Sequence, residues 1–233
     1  ANMINKYGMV AIPIIDHEDC LVGIVTVDDA MLVLQDETTE DISIMAGVSP
    51  NEDSYFGTSV FQHAKNRSLW LMLMMLSATV TGEILGYYEN AMAVMPVLIT
   101  FIPMLMGTGG NCGSQSSTLI IRGLAVGEIE FRDIFRVIFK EIRIALIVGV
   151  LLSVVNGIRI YIMYDRNIML AVALGITMIA VVAMAKCIGC VLPLTAKKLG
   201  LDPAIMAAPL ITTILDTCTI LVYFNIVTAF FNL

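Results

Sequence analysis

Residues 167–196 read NIMLAVALGITMIAVVAMAKCIGCVLPLTA, a run of thirty residues in which Lys186 carries the only charge. About 20 mostly apolar residues suffice for a helix to cross a membrane, so this run predicts a membrane-spanning helix. Four further runs of the same character occupy residues 69–88, 90–121, 144–164 and 203–233. Five long runs in 233 residues favour an all-α integral membrane protein with five transmembrane helices over a soluble protein with buried core helices.

The composition supports a membrane protein. Hydrophobic residues make up 58% of the chain and charged residues 14%, against about 25% charged residues in soluble domains. The mean hydropathy is +0.87. The net charge of −7 predicts no nucleic-acid partner. Five scattered cysteines do not form the disulfide framework of a secreted domain, and the first 40 residues predict no cleavable signal peptide.

Charge divides the chain in two near Lys65. Residues 1–64, the acidic head, hold eleven of the 20 acids and one of the 13 basic residues, a net charge of −10. Residues 65–233, the membrane body, hold nine acids and twelve bases. Nine bases lie on one side of the predicted topology, at Lys65, Arg67, Arg122, Arg132, Arg136, Lys140, Arg143, Lys197 and Lys198, whereas Arg166 lies in a loop on the opposite side. Because cytoplasmic loops carry such an excess, we expect a multi-pass plasma-membrane protein with a cytoplasmic N-terminus and an extracellular C-terminus.

The acidic head predicts a small α/β fragment followed by a cytosolic connecting helix. Residues 10–16 and 21–26 are typical of short strands, and a helix begins at Val27 with acids in its first turn. This pattern resembles the closing part of a CBS domain over residues 1–35, without that module's preceding strand and helices. Residues 36–64 follow as an acidic connecting helix.

Three acids of the connecting segment share one helical face. Glu37, Glu40 and Asp41 stand at i, i+3 and i+4, so their carboxylates lie close together on a helix. Oxygen ligands of this kind suit magnesium, calcium or manganese. A solvated acidic face is the alternative interpretation of the same pattern.

The second run, residues 90–121, is too long for one simple span. It contains Pro96, Pro103 and the sequence GTGGNCG at residues 107–113. Irregular backbone inside a membrane is tolerated where protein or a water-filled cavity satisfies it, so a pore-lining break with Asn111 facing water or an ion is one interpretation. A kink or loop whose small residues let helices pack closely is the other.

The chain resembles the MgtE family of magnesium channels over nearly its whole length. The motifs that carry the resemblance are PMLMGTGGNCGSQS at 103–116, IRGLA at 121–125, DPA at 202–204, PLITTILD at 209–216, VDD at 27–29 and TED at 39–41. The family resemblance implies five spans, paired CBS domains, a connecting "plug" helix and a homodimeric pore in the lipid bilayer. The helix from about residue 36 to 63 corresponds to that plug.

The resemblance also assigns roles to residues. Asp216 matches the pore carboxylate that holds hydrated Mg²⁺, Thr212 contributes to the same site, and Asp202 matches the acid at the inner start of the fifth span. The acids that match regulatory Mg²⁺ ligands are Asp29, Glu37, Glu40 and Asp41. The expected pore-lining residues are Gly107, Gly109, Gly110, Asn111 and Gln115.

Physical reasoning agrees with this role for Asp216. A carboxylate within an apolar helix is costly and usually faces a polar cavity. A twofold-related copy would supply a second carboxylate, and Mg²⁺ keeps several of its waters when bound. Thr212 lies one turn earlier on the same face. The alternative is a buried ion pair between Asp216 and Lys186.

The expected function is a magnesium-selective channel gated by cytosolic Mg²⁺, so that Mg²⁺ is both the transported and the regulatory ion. Manganese and cobalt stay alternative ions. A secondary active divalent-cation transporter is the second hypothesis, because broken helices near the membrane midplane are typical of transporters. A third is an intramembrane hydrolase using Ser114 or Ser116 with Asp216; the membrane body has no histidine to act as a base, so we expect no enzyme.

Overall fold

The computed structural model describes residues 2–51, 53–164 and 166–233, and most of them are helical. The helices are α1 Asn2–Tyr7, α2 Val27–Met45, α3 Val60–Tyr87, α4 Glu89–Val94, α5 Ile102–Ala125, α6 Ile134–Met163, α7 Ile168–Lys198 and α8 Ala208–Phe231. The strands are β1 Ala11–Ile15 and β2 Leu21–Thr26. Short 3-10 turns occupy Pro96–Phe101, Phe131–Asp133 and Pro203–Met206.

The head contains one antiparallel strand pair and the helix that follows it. Ile12 of β1 lies opposite Val25 of β2, and α2 begins directly after β2. Thr26 caps α2 by accepting a hydrogen bond from the Asp29 backbone, while the Asp29 carboxylate accepts one from the Thr26 backbone 3.0 Å away. This reciprocal capping box fixes the start of the helix. The predicted order of strand, turn, strand and helix is confirmed, and its assignment to a CBS domain stays a prediction.

The connecting helix has different bounds from those predicted. The sequence predicted a separate helix over residues 36–64, whereas α2 runs without interruption from Val27 to Met45. Gly47 ends the helix in the left-handed region, with φ of +70°. Pro50 follows shortly after, and a proline disfavours helical backbone in the residue before it. The next helix, α3, begins only at Val60, with Ser59 as its cap.

The membrane body is built around α7. This helix packs against α5, α6 and α8, and the buried core lies between these four helices. Over the described residues, three stretches are long and apolar enough to cross a membrane: Val60–Tyr87, Ile168–Lys198 and Pro203–Phe231. The class of all-α membrane protein is therefore supported, and the count of five spans stays a prediction.

The second apolar run is interrupted before the glycines. The run divides into α4, the 3-10 turn Pro96–Phe101 and α5, and residues 107–113 lie inside the continuous helix α5. Both sequence-based interpretations placed irregular backbone at the glycines, and that part of them is wrong, whereas the pore-lining role stays a prediction. Pro96 stands at the start of the 3-10 turn and Pro103 in the first turn of α5. The N–H groups of a first turn have no partner within the helix, so a proline there loses no hydrogen bond. The buried Tyr223 hydroxyl donates to the Leu98 carbonyl at 2.9 Å, which satisfies one carbonyl of the 3-10 turn.

The fifth run also has two parts. The Asp202 carboxylate accepts a hydrogen bond from the Ala204 N–H at 2.8 Å and caps the turn Pro203–Met206. The long helix α8 begins only at Ala208. Asp202 therefore caps a short turn that precedes the span, and does not cap the span directly.

Candidate metal-ion pathway

Glycines of α5 bring this helix close to α8. Gly109, Gly110 and Gly113 are buried. A Cβ atom on Gly110 would lie 3.1 Å from Thr212 Cγ2, and one on Gly109 would lie 2.7 Å from Thr219 Oγ1. A Cβ on Gly113 would overlap the Leu215 side chain. Close packing through small residues, one of the two sequence-based alternatives, therefore describes these three positions.

The remaining pore-lining candidates lie on another face of α5. Gly107, Asn111 and Gln115 are exposed in the single chain, and their spacing of four residues places them along one side of the helix. We call them the α5 polar stripe. The structure thus divides the predicted set in two, with Gly109 and Gly110 buried against α8 and the polar stripe open.

Asp216 lies at the depth of the α5 glycines. It stands on α8 between Thr212 and Thr219, the two residues that contact Gly110 and Gly109. Its side chain is half-buried, and it forms no ion pair within residues 2–51, 53–164 and 166–233. The Thr212 hydroxyl, one turn earlier, donates to the Pro209 carbonyl at 3.0 Å.

Lys186 has a different partner from the one considered in the sequence. Its Nζ lies 3.6 Å from Glu141 Oε2 of α6, so the pairing of Lys186 with Asp216 is wrong. Ser116 of α5 donates to the same Glu141 oxygen at 2.7 Å and accepts a hydrogen bond from Lys186 at 3.2 Å. All three residues are buried. The Ser116 hydroxyl therefore bonds to Glu141 and Lys186. The hydrolase hypothesis requires a pair between a serine and Asp216, and Ser116 does not form that pair.

Sequence reasoning missed the triad. Glu141 stands among the bases of residues 132–143, between the second and third apolar runs, so its sequence context does not indicate that it is buried. The signal was available: Lys186 is the only charge in its apolar run, and buried charges in membranes usually pair with one another.

A cavity of about 910 Å³ lies between the head and the adjacent ends of α5 and α7, with Asp202 and Pro203 beside them. Glu37 and Asp41 line it from α2, and Asp202 and Lys197 line it from the membrane body. We call it the acidic cavity. Partial burial raises the pKa of Asp41, and the carboxylates of Asp202, Glu37 and Glu40 raise it further. Neutralisation of this charge by a cation would relieve the repulsion.

The predicted regulatory acids are only partly brought together. Glu37, Asp41 and Asp202 face one cavity, whereas Glu40 is exposed and does not line it. Over the parts of the chain that the structure describes, no three acidic, histidine or cysteine side chains form a group that could hold a metal ion directly. The arrangement fits a hydrated cation, because Mg²⁺ retains several waters and those waters bridge longer gaps to carboxylates.

Asp29 lies apart from the acidic cavity. The Thr26 hydroxyl and then the Thr26 N–H donate to its carboxylate and lower the pKa of Asp29. Glu37 is eight residues further along α2, a distance of about 12 Å at 1.5 Å per residue. In this chain Asp29 completes the capping box of α2 with Thr26, and its predicted role as a metal ligand stays a prediction.

The described residues form a helical membrane body with a half-buried carboxylate on α8, joined to an acidic head, and such a carboxylate in a membrane helix is typical of membrane proteins that handle cations. The divalent cation transporter family MgtE matches residues 102–226, which include α5 to α8 almost completely. The chain belongs to the MgtE family of divalent cation transporters.

Three curated relatives match nearly the whole chain. The magnesium transporter MgtE of Thermus thermophilus is 35% identical over 226 residues, which are 97% of this chain and 50% of that protein. The magnesium transporter MgtE of Bacillus subtilis is 35% identical over 232 residues, 100% of this chain and 51% of the relative. The magnesium transporter MgtE of Enterococcus faecalis is 34% identical over 233 residues, which are 99% of this chain and 50% of that protein. The chain spans about half the length of these relatives. All are named as transporters, in agreement with the expectation that the chain is not an enzyme.

Proposed function

We propose that the membrane body moves Mg²⁺ across the cell membrane through a pore formed by two copies of the chain. The observation that carries the proposal is Asp216, a half-buried carboxylate on α8 without an ion pair among the described residues. A carboxylate in a membrane helix is retained where it faces water or an ion. With one Asp216 from each copy and Thr212 one turn away, the site binds a hydrated ion rather than a bare one.

The second copy is proposed to cover the α5 polar stripe. Asn111 and Gln115 are exposed in the single chain, and polar side chains facing lipid are costly. A twofold-related chain would enclose the stripe and Asp216 together in a water-filled path. Gly110, packed on Thr212, holds α5 and α8 at the separation that this path requires.

The proposed topology has five spans, α3 and α5 to α8. Helices α5 and α6 have 24 and 30 residues, about 36 and 45 Å at 1.5 Å per residue, which exceeds a hydrocarbon core of about 30 Å. Arg122, at the end of α5, and Lys197, at the end of α7, stand at the end of the bundle that faces the head. This supports a cytoplasmic head and, with five spans, an extracellular C-terminus.

Gating by cytosolic Mg²⁺ is proposed to act through α2. This helix packs against the turn Pro203–Met206, which directly precedes α8. Mg²⁺ in the acidic cavity would screen Asp41 from Asp202 and hold α2 against the membrane body, closing the pore. At low Mg²⁺ the carboxylates repel, and α2 is released. The ion shifts this equilibrium by the difference in its affinity for the two states.

The test is Mg²⁺ uptake into vesicles that contain purified protein, followed with an internal Mg²⁺-sensitive dye. Asp216→Asn removes the charge at nearly constant size and should abolish uptake. Glu128→Gln, an exposed acid of the loop between α5 and α6, is the matched control and should retain it. Wild-type uptake by a folded Asp216→Asn protein would contradict the proposal. Single-channel currents separate the channel from a secondary active transporter, which gives none, and competition with Mn²⁺ and Co²⁺ defines the ion selectivity.

A further inference from the structure

The outer face of α6 changes from basic to apolar along its length. Arg132, just before the helix, and Arg136, Lys140 and Arg143 follow one another at steps of four, four and three residues, and all are exposed. Residues at such steps lie on one face of a helix. We call this set the α6 basic stripe.

The same face continues as an apolar stripe. Ile147, Leu151 and Val154 follow Arg143 at steps of four, four and three residues, and their side chains are 73%, 62% and 55% exposed. A phospholipid has this order of chemistry, with a charged headgroup above an acyl chain. The face therefore matches one lipid molecule lying along the helix.

The length of α6 places the basic stripe at headgroup level. The helix has 30 residues, about 45 Å at 1.5 Å per residue, whereas the hydrocarbon core is about 30 Å thick. The surplus of about 15 Å equals roughly ten residues. Residues 134–143, which carry three of the four bases, are the first ten residues of α6.

The bases of α6 lack acidic partners on the helix. Glu141 is the only acid in Ile134–Met163, all of which the structure describes, and it is buried and paired with Lys186. Arg132 pairs with Glu130 at 2.9 Å. Arg136, Lys140 and Arg143 form no ion pair over residues 2–51, 53–164 and 166–233, so three positive charges are free for an anion.

Two phenylalanines border the basic stripe. Phe135 and Phe139 are 83% and 65% exposed, and the Arg143 guanidinium lies 5.8 Å from the centre of the Phe139 ring. Aromatic and basic residues together are typical of helix segments at the boundary between headgroups and acyl chains. The rings would pack on the glycerol and upper acyl region of a bound lipid.

We propose that the α6 basic stripe binds the phosphate of an anionic phospholipid such as phosphatidylglycerol, with the acyl chains along Ile147, Leu151 and Val154. The proposal rests on the membrane placement of α6 given above. Arginine and lysine recognise phosphate through charge-assisted hydrogen bonds. Near an anionic membrane surface, each arginine or lysine adds a similar amount to the binding affinity. A zwitterionic lipid would offer the same phosphate with a compensating positive charge, so the site should prefer the anionic one.

Native mass spectrometry of the full chain in detergent, titrated with phosphatidylglycerol or phosphatidylcholine, tests this. The double variant Arg136→Gln, Lys140→Gln should bind phosphatidylglycerol about thirtyfold more weakly, with phosphatidylcholine binding unchanged. The matched control is Lys65→Gln, Arg67→Gln, which removes two exposed bases from the start of α3 and should keep wild-type lipid binding. Equal losses in both variants would overturn the proposal, because the effect would then be general charge attraction.

A second measurement keeps the lipid site separate from transport. Mg²⁺ uptake by the Arg136→Gln, Lys140→Gln variant in phosphatidylcholine vesicles should equal wild type, since this stripe is outside the proposed pore. If the wild type takes up no Mg²⁺ but retains its preference for phosphatidylglycerol, the proposed function fails and the lipid site stands. A change in oligomeric state without a change in bound lipid would overturn the site and assign the face to a second copy of the chain.

Discussion

Lys186 of α7 and Glu141 of α6 face each other inside the helix bundle, with Nζ and Oε2 3.6 Å apart and side chains 6% and 9% exposed. Ser116 of α5 bonds to both. The triad therefore joins three helices at one point. Removal of a charge from such a pair leaves the other charge buried and uncompensated, which costs more than the pair itself contributes.

Glu141→Gln should strongly destabilise the protein, by about 3–5 kcal/mol, because it leaves the Lys186 ammonium without its counter-ion. Lys186→Met should cost a similar amount. The double variant should be more stable than the sum of the two predicts, since both charges are then absent. Unfolding of the detergent-solubilised variants, followed by circular dichroism, measures this. Additive losses would mean that the two side chains act independently.

Gly110→Val should reduce Mg²⁺ uptake severely. A Cβ on Gly110 would already lie 3.1 Å from Thr212 Cγ2, so the larger side chain must push α8, and with it Asp216, away from α5. Gly157→Val is the matched control, because a Cβ on this glycine of α6 meets no atom within 4 Å. The measurement is the rate of Mg²⁺ uptake into vesicles that contain either variant. Equal rates for the two variants would show that the contact between Gly110 and Thr212 is not needed for transport.

The apolar runs predicted the long helices but not their internal contacts. Run length predicts a helix in a membrane. Helix α6 begins ten residues before the run 144–164, and α7 ends two residues after the run 167–196. Glycine content, in contrast, predicted irregular backbone at residues 107–113, which lie inside the helix α5. Glycine weakens an isolated helix, yet in a packed bundle the loss is offset by close contact with a neighbouring helix, here Thr212 and Leu215 of α8.

The candidate site was predictable only where a charge stands alone in an apolar run. Asp216 has that signal, and so has Lys186. The partner of Lys186 depends on how α6 is rotated against α7, which the sequence of either helix does not contain. The acidic cavity likewise forms between residues far apart in the chain, so the spacing of Glu37, Glu40 and Asp41 identified the helix face but could not place Asp202 or Lys197 beside it.

Gly47→Ala should weaken the closed state and raise the Mg²⁺ concentration needed to stop uptake. Gly47 has φ of +70°, and its added Cβ would lie 3.1 Å from Pro209 Cγ near the start of α8. Gly200→Ala is the control, because Gly200 has a similar φ of +75° but an added Cβ meets no atom within 4 Å. Alanine in this backbone region costs about 1 kcal/mol at either position, so a difference between the variants reports the contact with Pro209. Identical Mg²⁺ dependence in both would contradict a role for that contact in gating.

Asp41→Asn should hold α2 against the membrane body even when Mg²⁺ is scarce. The pKa of Asp41 is raised by partial burial and by Asp202, Glu37 and Glu40, so its charge opposes docking until a cation neutralises it. Asparagine removes this opposition without a large change in size. Limited proteolysis of residues 36–63 measures docking: the wild type should be protected only with Mg²⁺, and the variant with or without it.

Asp36→Asn tests whether position or charge alone controls this protection. Asp36 precedes Glu37 on α2 but is exposed and does not line the acidic cavity. The substitution Asp36→Asn therefore removes one negative charge from α2, as Asp41→Asn does, but at a position outside the cavity that contains Asp202. It should keep the Mg²⁺-dependent protection of the wild type, because the ion is held by the groups that converge on the cavity. If Asp36→Asn and Asp41→Asn protect the segment equally without Mg²⁺, docking depends on the total charge of the head. A defined Mg²⁺ position in the acidic cavity would then not control it. Protection of the wild type that does not change with Mg²⁺ would place the sensor elsewhere in the protein.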